Sequence, residues 1–312
     1  MMEEMRRTLD HLPAAKRGEL DRVLRVLFDE FEDAIKGKLS PELKTGRILK
    51  VLLFGSYARS DWVEDRKSGY RSDYDLLVVV NHDRLTDLHD FWERADEHLV
   101  RELTVTKHLE TPVNFIVHSL QDVNDQLSRG RYFFADISRD AIALYETPGF
   151  PLSAAKPLSP AAAMAEARRY RDDWLPKAER FFELAREAIA RGYKNEAAFL
   201  LHQAAERLYQ CALLVLTLYS PKSHRLNVLR SHAESLDARL VSIWPRDTRF
   251  AKRSFERLRR AYVEARYSPE YTITAEELDW LGERIRLLHE TVATICAVRI
   301  DQTSDGNVDG VP

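Results

Sequence analysis

The fold of the N-terminal half is decided by the stretch Ile48-Leu49-Lys50-Val51-Leu52-Leu53-Phe54-Gly55-Ser56, followed by Ser72-Asp73-Tyr74-Asp75-Leu76-Leu77-Val78-Val79-Val80. Residues 48–54 and 76–80 are short apolar runs typical of largely buried strands, and a glycine ends the first run. Alternate residues of a strand point to the same face, so Asp73 and Asp75 are expected to present their carboxylates together. The stretch therefore predicts a polar glycine turn facing a pair of acids.

The residues around this stretch alternate between helical and strand patterns. Apolar residues at helical spacing and short apolar runs predict three helices and two further strands. The helices are 20–35, 86–101 and a third beginning near 120, and the strands are 113–117 and 141–145. This mixture predicts an α+β region that ends at the turn-rich segment 147–151.

The C-terminal half has no strand pattern and predicts an all-α helical bundle. Ser159 followed by Pro160 is a typical N-cap with a first-turn proline, and the sequence from Thr274 to Glu277 fits a capping box. The predicted helices are 160–191, 195–219, 225–240, 247–266 and 275–299. Residues 302–312 are rich in Ser, Asp, Gly and Asn and are predicted to be a disordered tail.

Composition narrows the class of protein. A chain of 312 residues with 45% hydrophobic content is long enough for two domains with their own cores. The 47 basic and 50 acidic residues nearly balance, so the overall charge gives no reason to expect a protein that coats nucleic acid or a membrane surface. The most apolar window, 197–219, contains polar residues and is too interrupted to cross a bilayer.

The two cysteines and the N-terminus indicate the compartment. Cys211 and Cys296 lie among apolar residues in helical segments, which is typical of free, buried thiols in a reducing compartment. The first residues lack the continuous apolar stretch of a secretory signal. A cytoplasmic protein without a disulfide is therefore expected.

The glycine turn and the acid pair have a shared chemical rationale. Magnesium binds through one or two carboxylates and completes its shell with water and substrate phosphates. Gly55 would let the backbone approach a phosphate, and Ser56 could donate a hydrogen bond from a helix start. We predict that Asp73 and Asp75 hold Mg²⁺ or Mn²⁺ and that ATP or another nucleoside triphosphate binds there, although each motif alone also fits ordinary solvated turns.

These motifs, within residues 47–80, resemble the signature of the polymerase-β-like nucleotidyltransferase superfamily in its minimal bacterial branch. The resemblance implies a nucleotidyltransferase domain over residues 1–148. It also implies that Gly55, Ser56 and Arg59 bind the triphosphate, while Asp73 and Asp75 hold metal ions that align attack on the α-phosphate.

The sequence departs from that pattern at two places. The loop between Ser56 and Asp73 is longer than in the family, which suggests a lid or a flap that contacts the substrate. Asn114 stands where many relatives place a third acid, and an amide cannot act as a general base. Glu110 lies nearby and is the candidate substitute, so both Asn114 and Glu110 are predicted catalytic residues.

The helical half resembles the HEPN domain, a helical module often coupled to minimal nucleotidyltransferases. The resemblance lies in His202-Gln203-Ala204-Ala205-Glu206, in Ser220–Leu226 and in Ala265–Pro269, within residues 160–299. It implies a HEPN-like domain over residues 149–301 and a homo-oligomer, such as a dimer, formed through that domain.

Many HEPN domains are ribonucleases with an arginine followed after four to six residues by a histidine. Arg225 and His232 offer that pairing outside the expected segment, whereas Arg266 lies in the expected segment but is followed by Tyr271. Tyrosine cannot replace histidine as an acid–base group near neutral pH. We therefore predict that Arg266 contacts a nucleotide phosphate and does not act as a catalytic residue of a ribonuclease.

Two polar surfaces of the helical half have alternative interpretations. His202, Glu206 and Tyr209 or Gln210 share one flank of a helix and form either a satisfied polar seam, which we favour, or part of a groove. Eight basic residues between Arg246 and Arg266 form either a solvated face balanced by acids, again favoured, or a surface for RNA or phosphate.

Three functions are compatible with these observations. The leading one is a nucleotidyltransferase that moves AMP from ATP to a hydroxyl of a protein, an RNA or a small molecule. By resemblance to two-gene toxin–antitoxin systems, the acceptor could be Tyr267 or Tyr271 of the chain itself. The alternatives are a nucleotide-binding scaffold with a degenerate site, motivated by Asn114 and Tyr271, and a HEPN-type ribonuclease.

Overall fold

A computed structural model describes residues 8–65, 70–221 and 223–301. Within it the chain forms two compact units, of which the first ends at Pro157 and the second begins at Leu158. The boundary after residue 148 stays a prediction. The predicted tail, 302–312, lies outside the described residues.

The first unit begins with helices α1 (Ala14–Ile35) and α2 (Pro41–Lys44). Strand β1 (Ile48–Phe54) leads into the four-residue helix α3 (Ser56–Arg59), which is followed by the short strands β2 (Glu64–Asp65) and β3 (Tyr70–Arg71) and by β4 (Tyr74–Val80). A 3-10 turn at Asp83–Thr86 precedes α4 (Leu88–Phe91) and α5 (Glu93–Thr104). The unit continues with β5 (Val113–Ser119), α6 (Leu120–Ser128), α7 (Tyr132–Asp140) and β6 (Ile142–Glu146).

A four-stranded mixed sheet in the order β5-β4-β1-β6 organises this unit. Strand β1 is antiparallel to β4 and β6, whereas β4 and β5 are parallel. The apolar stripe of α1, with Leu20, Val23 and Leu27, joins the same core cluster as Leu53 and Leu76 of the sheet. The α+β class expected for the N-terminal half is therefore confirmed.

Local differences from the predicted elements have identifiable causes. Strand β4 begins at Tyr74, two residues before the apolar run, because Tyr74 pairs with Val113 of β5 and Asp75 pairs with Phe54 of β1. The predicted helix 86–101 is interrupted at Trp92, which is buried and donates its indole N–H to Leu85 O at 2.7 Å. Strands β2 and β3 are too short and too polar to show an apolar alternation in the sequence.

The second unit is helical, as predicted. It contains α8 (Pro160–Ala190), α9 (Lys194–Thr217), α10 (Leu226–Leu236), a 3-10 segment (Ala238–Ile243), α11 (Arg249–Tyr267) and α12 (Ala275–Asp301). The Ser159 hydroxyl accepts a hydrogen bond from Ala162 N at 3.2 Å, which confirms the predicted N-cap. Helix α10 stops before residue 240 because Asp237 caps the 3-10 segment through Arg239 N.

Helix α9 is the centre of this bundle, since it packs against α8, α10, α11 and α12. Most of its residues are buried, including both polar and apolar ones. Cys211 of α9 and Cys296 of α12 are free and buried, with their sulfurs 3.9 Å apart. Among the described residues, no helix combines the length and the apolar character needed to cross a membrane.

The fully buried side chain of Glu277 ties the start of α12 to α11. Glu277 Oε2 accepts from Thr274 N at 2.9 Å and Glu277 N donates to Thr274 Oγ1 at 3.2 Å, which confirms the capping box. Arg253 and Arg257 each donate to its carboxylate at 2.7 Å. Burial by itself would raise the pKa of Glu277, but the bonds from Thr274 and Arg253 outweigh it and lower that pKa. We call this arrangement the Glu277 clamp.

Candidate functional site

Gly55 turns the chain from β1 into α3 in a conformation that favours glycine. Its φ of 74° and ψ of −154° are strained for any residue with a side chain. A Cβ at this position would lie 2.6 Å from Asp75 Oδ2. The glycine is therefore required twice, for the turn itself and for the close approach of the Asp75 carboxylate.

The sheet brings Asp73, Asp75 and Asn114 together at one edge. Asp75 pairs in register with Phe54 of β1 on one side and with Asn114 of β5 on the other. Asp73, just before β4, accepts a hydrogen bond from Asn114 Nδ2 at 2.8 Å. Asp75 and Asn114 are buried, whereas Asp73 is half-buried. The predicted acid pair is thus completed by an amide.

Tyr74 fixes the strand from its opposite face. Its buried hydroxyl donates to Glu19 Oε2 of α1 at 2.9 Å. Burial raises the pKa of Tyr74, so the phenol stays neutral and remains a donor. Because strand residues alternate, anchoring Tyr74 on α1 directs Asp73 and Asp75 to the other side of the sheet.

Ser56 and Arg59 lie on the short helix that follows the glycine. Ser56 O accepts from Asp61 N at 3.0 Å, which closes the turn after α3. Arg59 is exposed and its Nε donates to Asp61 Oδ2 at 3.2 Å. The predicted triphosphate ligands Gly55, Ser56 and Arg59 therefore lie on one short helical turn, which begins beside Asp75 at Gly55.

Glu110 faces a different place. Its backbone N–H donates to Glu19 Oε1 at 2.8 Å and its carbonyl accepts from Arg71. The exposed residue lines an open cavity of about 410 Å³, whose other lining residues are Ala15, Lys16, Gly18, Glu19, Arg22, Arg25, Lys107 and His108. The structure brings Asn114 to the acid pair and does not bring Glu110 there, so a catalytic role for Glu110 stays a prediction.

The donor set of this edge fits a hard divalent cation. In the part of the chain that the structure describes, no group of three His, Cys, Asp or Glu side chains could hold a metal ion. Asp73 and Asp75 would therefore hold it with oxygen donors from Asn114, from water or from substrate phosphates. Magnesium commonly binds proteins in this way.

The long loop after Ser56 contains the β2–β3 hairpin. Trp62 stacks on Tyr57 with ring centroids 5.3 Å apart, and Glu64 pairs with Lys16 Nζ at 2.8 Å. Ser72 Oγ accepts from Val63 N at 2.9 Å. The base of the predicted lid is thus fixed beside α1, and its tip, residues 66–69, lies outside the described residues.

Arg266, the fourth predicted nucleotide ligand, belongs to the second unit. It is exposed near the end of α11, and its guanidinium lies 4.7 Å from the ring centroid of Tyr262 and 5.0 Å from that of Phe199. Its contact with a nucleotide stays a prediction.

The other candidates of the second unit are mostly buried. His232 lies inside α10 and is 5% exposed, and Tyr271 is 6% exposed with its hydroxyl donating to Arg257 O at 3.0 Å. Burial raises the pKa of Tyr271. Neither position supplies an accessible acid–base group beside Arg225 or Arg266.

The predicted polar seam on α9 is fully buried at His202 and Glu206. Burial lowers the pKa of His202 to about 3, so its ring is neutral. The 3.8 Å contact between His202 Nδ1 and Glu206 Oε2 is therefore not an ion pair. Tyr209 accepts a hydrogen bond from the Trp244 indole at 2.6 Å. His224 and Tyr262 also face this seam; the sequence placed His224 only within the HEPN-like segment Ser220–Leu226 and did not indicate Tyr262.

Acids balance most of the basic segment from Arg246 to Arg266, as the favoured interpretation expected. Beyond the two arginines of the Glu277 clamp, three more arginines pair with carboxylates at 2.6 Å. They are Arg246 with Glu234, Arg259 with Glu256 and Arg260 with Glu264. Helix α11 therefore presents a largely neutralised face.

Comparison with known proteins finds one family model and a curated relative that are similar to parts of the chain. The HEPN domain family model matches residues 172–295. A Methanocaldococcus jannaschii protein, named provisionally as a protein adenylyltransferase, is 44% identical over 61 residues, which are 19% of this chain and 50% of that protein. The chain thus spans about half the length of this curated relative.

A solved nucleotidyltransferase-like protein from Exiguobacterium sibiricum is also similar. The match covers 91% of this chain and 77% of that one at 13% identity, with a TM-score of 0.23. Similarity this low carries no argument by itself. The HEPN match lies within the helical second unit, and the similarity to the Methanocaldococcus jannaschii protein supports a nucleotidyltransferase-type domain fused to it.

Proposed function

We propose that the chain is a metal-dependent nucleotidyltransferase that moves AMP from ATP to a hydroxyl acceptor: the acceptor oxygen bonds to the α-phosphorus, the bond from that phosphorus to the α–β bridging oxygen breaks, pyrophosphate leaves and the hydroxyl proton passes to water. The observation that carries the proposal is the cluster of Asp73, Asp75 and Asn114 against Gly55. The similarity to a provisionally named protein adenylyltransferase supports the adenylyl group and a protein acceptor.

Each residue of the cluster has a role in this proposal. Asp73 and Asp75 bind the cation, and the bond from Asn114 Nδ2 orients the Asp73 carboxylate. Gly55 and Ser56 receive the triphosphate beside them. When bound, Mg²⁺ supplies charge stabilisation for the transferring phosphate, which together with positioning accounts for most phosphoryl-transfer catalysis.

The site has an amide where a base would stand. Asn114 cannot accept the acceptor's proton, so the proposed reaction depends on positioning and on the cation more than on base catalysis. This predicts slow transfer and makes a scaffold that binds nucleotide without turnover the competing function.

Transfer of label from α-³²P-ATP in the presence of Mg²⁺ and cell extract tests the proposal. The Asp73→Asn, Asp75→Asn protein keeps the side-chain shape and should lose transfer by more than about a hundredfold. The matched control, Asp33→Asn with Asp90→Asn, removes two exposed acids of the same unit and should transfer normally.

The outcomes separate the two functions. Equal labelling by the Asp73→Asn, Asp75→Asn protein would remove the proposed site. If the natural protein binds ATP saturably but forms no labelled product, the nucleotide-binding scaffold is the function supported instead.

The chain's own tyrosines differ as acceptors. Tyr267 is 73% exposed, whereas Tyr271 is 6% exposed with its hydroxyl engaged. If the chain modifies itself, Tyr267 is the accessible target. Intact-mass measurement should then show added AMP in the natural protein and none in Tyr267→Phe, while an unchanged mass in both would exclude this acceptor.

A further inference from the structure

The open cavity of about 410 Å³ beside α1, which we call the α1 cavity, lies outside the strand-edge site. One wall is a flank of α1, and the other is the connection between α5 and β5, residues 105–112. On α1 the lining residues Ala15, Gly18, Arg22 and Arg25 follow at spacings of three or four, so they share one face of the helix. The volume falls within the range of roughly 300–1,000 Å³ that is usual for ligand pockets.

Two cations of the α1 cavity are not neutralised by the protein. Arg22 is already committed, because it donates to both carboxylate oxygens of Glu102. Over the ranges that the structure describes, the exposed side chains of Arg25 and Lys107 pair with no carboxylate. Arg25 belongs to the helix wall and Lys107 to the connection wall, so the two walls together favour an anionic ligand.

Lys107 is held on its wall in an uncommon backbone conformation. Its φ of 58° lies in the left-handed region, which residues with a side chain rarely adopt. The connection is fixed after it, since Leu109 N donates to Glu102 O at 3.3 Å and Glu110 N donates to Glu19 Oε1 at 2.8 Å. Backbone strain of this kind concentrates at ligand-binding positions, which points to a role for Lys107 beyond closing the connection.

A carboxylate in the same lining decides between classes of anion. The exposed Glu110 shares the cavity with Arg25 and Lys107, and its ionised carboxylate only accepts hydrogen bonds. A phosphate group brings further negative oxygens, which Glu110 repels. An acidic peptide segment brings carboxylates for the two cations and backbone N–H donors for Glu110, so its chemistry matches the whole lining.

The floor of the cavity leaves room for an extended chain. A Cβ added to Gly18 would meet no atom within 4 Å, so space is open above the helix at this point. A glycine inside a helix lowers stability by about 1 kcal/mol relative to alanine, and here it keeps the approach to the α1 backbone clear. A peptide main chain can therefore lie along the helix between Arg25 and Lys107.

The α1 cavity lies near the same end of the sheet as the proposed transferase site. Glu19, which lines the cavity, accepts a hydrogen bond at 2.9 Å from the hydroxyl of Tyr74, the residue between the two acids of that site. Glu110 precedes Asn114 by four residues, so their Cα atoms are no more than about 14 Å apart. A peptide that leaves the cavity around the sheet edge thus reaches the acids within a short stretch of chain.

We propose that the α1 cavity is a docking site for an acidic peptide segment of the acceptor protein. The guanidinium of Arg25 takes one carboxylate as a two-bond pair, and the ammonium of Lys107 takes a second as a point charge. Assigning the segment to an acceptor rests on the proposed function, whereas binding of the segment needs neither the metal ion nor turnover.

Fluorescence anisotropy of a fluorescein-labelled hexaglutamate peptide tests the site on the full natural chain. EDTA keeps metal ions from bridging the peptide to the strand-edge acids, and low ionic strength limits screening of the charge pairs. Hexaglutamine labelled in the same way is the peptide control. The Arg25→Gln, Lys107→Gln protein is compared with Arg17→Gln, a matched control because Arg17 is an exposed arginine of α1 outside the cavity lining. Circular dichroism checks that each variant is folded.

The site is supported by saturable hexaglutamate binding that weakens about fivefold or more in Arg25→Gln, Lys107→Gln and stays unchanged in Arg17→Gln, since two exposed charge pairs are lost. Hexaglutamine binding as tightly as hexaglutamate, absence of saturable binding, or unchanged affinity in the double variant would overturn it. Displacement of the peptide by oligouridylate at a lower concentration than by unlabelled hexaglutamate would assign the cavity to nucleic acid and overturn it as well.

Labelling of extract proteins from α-³²P-ATP separates this site from the proposed function. The Arg25→Gln, Lys107→Gln protein should label its acceptor at least about fivefold more slowly than the natural chain when the acceptor is limiting. If the natural chain binds hexaglutamate but labels no protein, the transfer proposal fails and the peptide site stands. If the double variant labels proteins as fast as the natural chain, the docking role fails and the transfer proposal stands.

Discussion

The strand-edge site of the first unit and the polar seam of the second, which His202 and Glu206 of α9 form with His224 and Tyr262, are held in place by different means. In the first, the backbone does the positioning: strand register sets Asp75 beside Asn114, and Gly55 makes room for the carboxylate. In the second, buried polar side chains on separate helices do it, through Glu206 and the Glu277 clamp. Backbone changes should therefore damage the first site most, and single polar substitutions the second.

The largest effect is expected from Gly55→Ala. The added methyl would meet Asp75 Oδ2 at 2.6 Å in a backbone conformation strained for alanine. Nucleotidyl transfer should fall by about a hundredfold or more, and unfolding free energy by about 1–3 kcal/mol. Label transfer and urea denaturation measure the two quantities.

Gly37→Ala separates strain from the clash. Gly37 also has a positive φ, 78°, but open space surrounds its added Cβ. It should lose stability and keep transfer. Equal loss of transfer in both variants would show that general destabilisation, and not the position of Asp75, controls the site.

The second effect in size tests the side-chain positioning of the HEPN domain. Glu277→Gln removes the charge that Arg253 and Arg257 share in a fully buried position. Because Arg253 is half-exposed, the expected loss of unfolding free energy is about 2 kcal/mol, below that of a wholly buried pair. Thermal or urea denaturation measures it, with the exposed neighbour variant Glu276→Gln expected to change little.

The Asn114→Asp variant tests whether the first site lacks a general base. The new carboxylate adds a possible base and metal ligand but removes the hydrogen bond that Asn114 donates to Asp73. With saturating Mg²⁺, turnover should rise by about tenfold or more, because general bases commonly contribute that much. Asn114→Ala removes the same bond without adding an acid and should slow transfer; a matching decrease in Asn114→Asp would contradict the idea that a base is what the site lacks.

The smallest effect is a pH dependence of stability that arises from His202. The unfolded chain protonates this histidine near pH 6.5, whereas burial lowers the folded pKa to about 3. The unfolded state thus binds the extra proton, and the free energy of unfolding should decrease by about 1 kcal/mol as pH falls from 6.5 to 5.5. His202→Gln should flatten the curve of unfolding free energy against pH by that amount, and an unchanged slope would show that His202 is charged when folded.

The sequence was enough to place most residues of the first site near one another, because these residues lie close together in the chain. The apolar run of β1, the glycine and the Asp73/Asp75 pair fall within 28 consecutive residues of one local pattern, and a third apolar run placed Asn114. Glu110 was not predictable in this way, because the α5–β5 connection, held by Glu19 and Arg71, determines where it faces.

The contacts of the polar seam were beyond the sequence for a related reason. The five helices followed from periodicity and caps, but periodicity does not say which flanks of two helices meet. Glu206, His224 and Tyr262 come from three segments of the chain, and only packing shows that they touch. The sequence pattern of α9 indicated that one flank of this helix is polar, but it did not indicate which residues of other segments contact that flank.

The Glu277 clamp restricts the rotation of helix α11 about its own axis. Arg253 and Arg257 are one turn apart and both bond to the same carboxylate, so the clamp fixes the angular setting of α11 about its own axis. A one-residue slip of the helix would turn its far end by about 100° and swing Arg266 away from Tyr262 and Phe199. The start of α12 therefore fixes the position of the Arg266 guanidinium, which lies more than two helical turns from Arg257.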